Sequence, residues 1–214
     1  MRGGTRRGDR RYTRMPDKEL AGYLQMIPHR ALCTVFFYAS RGSMFFPFTC
    51  CIIMSAPHSF SAIVSAPFGA IGIKADASHI TELVYLPPSF EAQEATQPLA
   101  ARAAQQVAAY LQDPEYRFDL PLQPRGTAFQ QRVWQAICAI PPGKLQTYGQ
   151  MARELHSAPR AVGQACGANW FPLIIPCHRV TAANGLGGFA HATGGFLLDT
   201  KRWLLAHEKA LLFA

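Results

Sequence analysis

The apolar pattern of this chain changes kind at residues 121–125, and that change constrains the fold more than any other feature. Before it, short β-type runs are separated by turn residues; after it, apolar residues recur at helical spacing. Strands followed by helices, rather than strands alternating with them, specify an α+β chain. Strands are expected at 60–64, 69–74 and 80–86, with turns at Pro67-Phe68-Gly69 and Asp76-Ala77-Ser78 and a stop at Pro87-Pro88. Connections this short require antiparallel neighbours, so the three form a meander. A helix is expected over 97–111, with Leu99, Ala103, Val107, Tyr110 and Leu111 along one face and Pro114 beyond its end.

After the linker, Phe129, Val133, Trp134, Ile137 and Cys138 define an amphipathic helix over 127–140, in which Trp134 and Cys138 are expected in the core. Thr147 can cap a helix over 148–155, and Pro159 suits the first turn of another over 160–168. Two short helices with a tight turn suggest helix-turn-helix geometry. The second is unusually thin, built on Ala161, Gly163, Ala165, Gly167 and Ala168. Each interior glycine costs about 1 kcal/mol in a helix, so two of them need a reason. A thin helix can lie close to another protein element or enter a narrow nucleic-acid groove. Arg160 at its start is its only strong cation. A last amphipathic helix is expected over 201–212, carrying Trp203, Leu204, Leu205, Glu208 and Leu211.

The 214 residues can bury a substantial core. The net charge of +8 is unevenly spread. Residues 1–53 carry nine Lys/Arg against three Asp/Glu, 54–124 carry three against seven, and 125–214 carry nine against three. A polyanion-binding face is therefore expected after residue 125. Residues 1–53 read unlike the rest, with an Arg/Gly-rich tract and then an apolar segment without turn chemistry. They are expected to be a dispensable extension, with an N-terminal α+β domain over 54–124 and a C-terminal domain over 125–214. No uninterrupted apolar run is long enough to span a membrane. Six cysteines without C-x-x-C spacing point to a reducing, cytoplasmic setting.

The chemistry-bearing stretch is Ile174-Ile175-Pro176-Cys177-His178-Arg179-Val180. Ile174 and Ile175 read as a buried strand that Pro176 terminates, which delivers Cys177 to the wall of a pocket. A free thiol has a pKa of about 8.5 and needs an oriented imidazole to act as a nucleophile at neutral pH. By itself the Cys-His pair also fits a structural cysteine beside a surface histidine, a thiol hydrolase, or a helix-turn-helix regulator without chemistry. Cys166, Cys177, His178 and His191 match no common zinc spacing, so no metal is expected.

The ordered set Gly126-Thr127-x-Phe129-Gln130, Val133-Trp134, Ile140-Pro141-x-Gly143 and Arg160-Ala161-Val162-Gly163 narrows these readings. It continues through Asn169, Pro176-Cys177-His178-Arg179-Val180, Gly185-Leu186-Gly187-Gly188-Phe189 and Lys201-x-x-Leu204-Leu205-x-x-Glu208. With these pieces the sequence resembles the O6-alkylguanine-DNA alkyltransferases of bacterial type, over about residues 59–208. The resemblance implies a small ribonuclease H-like antiparallel sheet with a helix, followed by an α-helical winged helix-turn-helix DNA-binding domain. It also implies irreversible, once-per-molecule transfer of an alkyl group from O6-alkylguanine, and from O4-alkylthymine, to Cys177, without a cofactor. The partner is double-stranded DNA containing the lesion, met by a monomer that can bind cooperatively, with the base flipped out from the minor groove.

In that resemblance His178 acts as base through a water, Glu208 orients it, and Asn169 bonds backbone on both sides of a turn. Tyr148, Arg160, Ala161, Gly163 and Thr127 are implied DNA contacts, with Tyr148 pressing on a phosphate and Arg160 filling the vacated stack. Val180, Gly187, Gly188 and Tyr148 are the implied walls of the base pocket. Three features depart from the family pattern. Trp170 follows Asn169 where proline is usual, the Tyr148-to-Arg160 spacing is short, and the loop between Phe189 and Lys201 is long.

Overall fold

The computed structural model describes residues 60–210, which lie in the compact unit Ser55–Ala214. The expectation for residues 1–53 falls outside the described residues. The fold is α+β, as expected. Strands β1 (Ala62–Ala66), β2 (Gly69–Ala75) and β3 (Ile80–Leu86) form an antiparallel meander in that order. Its register pairs Val64 with Ile71 and Ile71 with Tyr85. Helix α1 (Pro98–Gln112) buries Ala103, Val107 and Tyr110 of the expected stripe, together with Ala100 and Gln106, while Leu99 and Leu111 are half-buried.

The linker is tied to the sheet. Leu122 bridges to Ile80, whose N–H donates to Pro121 O and whose carbonyl accepts from Gln123 N. Helix α2 (Ala128–Cys138) starts at a capping box in which the Thr127 side chain takes the Gln130 N–H and Gln130 returns the bond. The same device, Thr147 with Gln150, starts α3 (Tyr148–Glu154), which leads through a tight turn to α4 (Pro159–Gly167). The two-residue strands β4 (Gln146–Thr147) and β5 (Val180–Thr181) pair in parallel and bring the start of α3 beside the segment that follows Cys177. Helix α5 (Gly195–His207) closes the described chain.

Three sequence expectations need correction. Ile174 and Ile175 are not a strand. They lie in a turn closed by Ile175 N–H on Phe171 O, with Leu173 at φ 72°, and Cys177–Arg179 follows as a 3-10 turn. The apolar run is buried by turning, not by pairing. Helix α5 begins at Gly195 rather than 201, so the loop before it is shorter than the glycines suggest. Cys138 is exposed at the end of α2, whereas Trp134 is core and its Nε1–H donates to Ala165 O of α4 at 2.9 Å.

That indole bond fixes α4 against α2. Trp134→Phe leaves the Ala165 carbonyl without this donor and should cost about 1–2 kcal/mol in urea unfolding. A midpoint equal to that of the parent chain would contradict the assignment.

Candidate active site

Cys177 opens the 3-10 turn, where its N–H bonds Ile175 O and its carbonyl accepts from Val180 N. The residue is 5 % exposed and lies in a cavity of about 320 Å3, also lined by Tyr148, Arg160, Gly163, Cys166 and Gly188. Burial pushes its thiol up, while the hydrogen bond from Asn169 and the charge of Lys201 oppose the rise. The Cys177 side chain is therefore held as a thiol, with the Asn169 bond and the Lys201 charge both favouring its ionised form.

Asn169 makes the turn before Cys177 specific. Its Oδ1 accepts the Phe171 N–H at 2.9 Å, while Nδ2 donates to Ile175 O at 2.8 Å and to Cys177 Sγ at 3.4 Å. A backbone donor on one side and a backbone acceptor on the other fix the amide's orientation. Trp170 leaves this arrangement intact. Its carbonyl accepts from Leu83 N of β3, and the Arg125 guanidinium lies 4.5 Å over its ring.

Behind Cys177, His178 is fully buried and its Nε2 lies 2.8 Å from Glu208 Oε1. Glu208 also accepts from Tyr110 OH at 2.8 Å and from Arg179 Nε and NH2 at 2.9 and 2.8 Å. Burial alone would raise the Glu208 carboxyl, but the bonds and charges of His178 and Arg179 hold it down at about 2. Burial pushes the His178 imidazole below its ordinary 6.5, against the pull of Glu208. His178 is thus a neutral ring whose Nε2–H points at a carboxylate. Its Nδ1 is buried and has no hydrogen-bond partner among the described residues.

Lys201 is also fully buried. Its three donors reach the carbonyls of Val180 and Leu186 at 2.7 Å and of Gly188 at 3.1 Å. Burial lowers this amine to about 8, with Cys177 and Cys166 pulling the other way. The lysine ties the start of β5 to the glycine loop. Gly187, at φ 67°, lets that loop pass Tyr148, since a Cβ there would sit 3.0 Å from the tyrosine ring. Tyr148 OH donates to Gly188 O, and burial pushes the phenol up.

The structure brings Cys177, Tyr148, Arg160, Gly163 and Gly188 to one cavity. Asn169 and Gly187 do not line it but touch residues that do, Cys177 and Tyr148, and His178, next to Cys177 in the chain, is buried in its pair with Glu208. Val180 is buried with its backbone bonded to Lys201, and Ala161 is half-buried on α4. Thr127 caps α2 and does not line the cavity. The two glycines of α4 have different reasons. Nothing lies within 4 Å of a Cβ built on Gly163, whereas one on Gly167 would meet His191. Sequence reasoning gave no role to Arg179, Lys201, Tyr110 or His191. Lys201 had a signal, a charge on the apolar stripe of Leu197, Leu204 and Leu205. Tyr110, 98 residues from Glu208, had none.

Comparison with known proteins finds relatives over the same residues. The family description "6-O-methylguanine DNA methyltransferase, DNA binding domain" matches residues 128–210. The chain is 35 % identical over 155 residues to a methylated-DNA–protein-cysteine methyltransferase of Methanosarcina mazei, covering 69 % of this chain and 95 % of the relative. A Mycobacterium tuberculosis protein of that name is 38 % identical over 154 residues, covering 69 % and 90 %. Among solved structures, the crystal structure of Mycobacterium tuberculosis OGT in complex with DNA superposes with a TM-score of 0.56 at 36 % identity, covering 69 % of this chain and 91 % of that one.

Removing one partner of a buried ion pair costs about 3–5 kcal/mol, so Glu208→Gln should lower stability by that order. Acid should act in two stages. The folded values of His178 and Glu208 both lie below their ordinary 6.5 and 4.5, so the unfolded chain binds more protons on acidification. Stability present above 6.5 falls as pH drops below that value through His178. It falls again between 4.5 and about 2 through Glu208. Urea midpoints followed from pH 7.5 to 3.5 check this, and a flat profile would contradict it.

Proposed function

The chain belongs to the methylated-DNA–protein-cysteine methyltransferase family, a family of DNA alkyl repair, and from that premise we propose how its own residues carry the reaction. The substrate is O6-alkylguanine in double-stranded DNA, with O4-alkylthymine as a second lesion. The Cys177 thiolate attacks the alkyl carbon; the S–C bond forms as the C–O bond breaks, and the electron pair goes to the guanine oxygen. The thiol proton leaves through a water to His178 Nδ1, the one buried imidazole nitrogen without a protein partner among the described residues. Glu208 keeps the other nitrogen protonated. The guanine ring takes up a proton and leaves repaired.

The thioether product is stable, so each molecule acts once. The electrons come from sulfur and guanine is the leaving group, so the transfer calls for no cofactor. A duplex guanine cannot reach a buried thiol, so the nucleotide rotates out of the stack. Exposed Arg160 on the cavity rim supports its role in filling the gap, and Tyr148 between rim and floor supports its contact with the rotating nucleotide. Open space above Gly163, beside Ala161, supports close approach of α4 to the minor groove. Thr127 at the N-terminus of α2 is placed as a further backbone contact. Val180, Gly187 and Gly188 wall the base. The described cysteines are free, which suits a reducing compartment such as the cytoplasm, and the chain is taken to act as a monomer that can bind DNA cooperatively.

The observation that carries this reading is Cys177 at the floor of a cavity rimmed by Arg160, with the His178–Glu208 pair behind it. Incubation with an O6-methylguanine duplex should add one methyl group per molecule at Cys177, seen by peptide mass spectrometry, and Cys177→Ala should add none. Turnover beyond one equivalent would overturn the single-use assignment. Arg160→Ala should slow repair of duplex DNA about tenfold or more while changing reaction with free O6-benzylguanine far less, in line with removal of a flipping contact. Equal losses on both would contradict that role.

A further inference from the structure

The reactive groups do not by themselves say what limits the adducts that reach Cys177. The segment Phe189–Thr193 lines the cavity together with Arg160, Gly163, Cys166 and Gly167 of α4. Phe189 and Ala192 exchange both backbone hydrogen bonds, at 2.9 and 2.8 Å, so only Ala190 and His191 make the turn. Their φ values are 46° and 64°, the left-handed geometry of the tightest hairpin turns. Asparagine, aspartate and glycine favour such positions, and neither residue is one of them. The loop therefore accepts strain at the point where it presents His191.

The imidazole crosses from this turn to the thin helix. A Cβ on Gly167 would lie 2.3 Å from His191 Cε1 and 2.7 Å from its Nδ1. No alanine could occupy position 167 with the ring where it is, so the glycine makes the seat. The ring and its seat both line the cavity that holds Cys177, together with Tyr148 and Gly188.

We propose that His191 is a specificity-determining gate. Seated against Gly167, its side chain sets the size of O6 substituent that the cavity admits, and bulky adducts react only when the ring leaves that seat. The inference rests on Cys177 being the alkyl acceptor. It assigns His191 no part in the chemistry itself.

The test uses the full chain and its His191→Gly and His191→Asn variants, both of which tolerate the left-handed turn. Rates of adduct formation at Cys177 are measured with O6-methylguanine and O6-benzylguanine duplexes and with free O6-benzylguanine. Relief of a steric limit in an apolar pocket is worth about tenfold, so the benzyl-to-methyl ratio should rise by about that factor in both variants. Free O6-benzylguanine should gain similarly, because the gate acts on the base and not on DNA. An unchanged ratio would overturn the proposal. So would a change confined to duplex substrates, which would make His191 a DNA contact. Absence of any methyl adduct on the parent chain would instead overturn the acceptor role of Cys177, and the gate with it.

Discussion

The Glu208 carboxylate is the interaction on which the site depends. It sits at the C-terminal cap of α5, is 4 % exposed, and would be costly to bury alone. Four bonds satisfy it: Tyr110 from α1, His178, and two from Arg179. Arg179 balances its charge, which leaves His178 free to remain neutral. The same guanidinium also reaches Ile140 O at the end of α2. One buried anion thus joins α1, α2 and α5 to the turn that carries Cys177, and it fixes which nitrogen of the buried, neutral His178 ring faces a carboxylate.

A second buried charge shapes the other side. Lys201 holds three carbonyls from β5 and the glycine loop, so the wall of the cavity is fixed by one amine rather than by a sheet. Asn169 does the equivalent for the turn that carries Cys177. Trp170 adds a tie that proline could not make in the same way, since its ring stacks under Arg125 of the linker. Cys177 is therefore placed by side-chain bonds to backbone, and the regular elements serve to bring those side chains together.

Much of this was legible in the sequence. The meander, the helix α1, the Thr147 cap and the thin α4 each follow from local period or turn chemistry. The family resemblance singled out Cys177, His178, Asn169 and Glu208, and the fold brings these four into one bonded set. What stayed hidden is non-local. Ile174 and Ile175 read as a strand because a short apolar run carries no sign of the Asn169 bonds that bend it. Cys138 falls on an apolar stripe but at the last residue of α2, where the helix ends before it can be covered. The start of α5 was missed because Gly194 and Gly195 resemble loop, although Gly194 stands at the N-cap and Gly195 opens the helix. Tyr110 reaches Glu208 across 98 residues, and no spacing rule encodes that.

The central claim is that burial keeps His178 neutral while Glu208 holds its proton on Nε2, which leaves Nδ1 as the acceptor for the Cys177 proton in the proposed transfer. Nitrogen-15 NMR of the imidazole measures this directly. At pH 7 the folded chain should show His178 as the neutral Nε2–H tautomer, with an Nδ1 shift characteristic of an unprotonated nitrogen. An imidazolium at that pH, or a proton on Nδ1, would contradict the account.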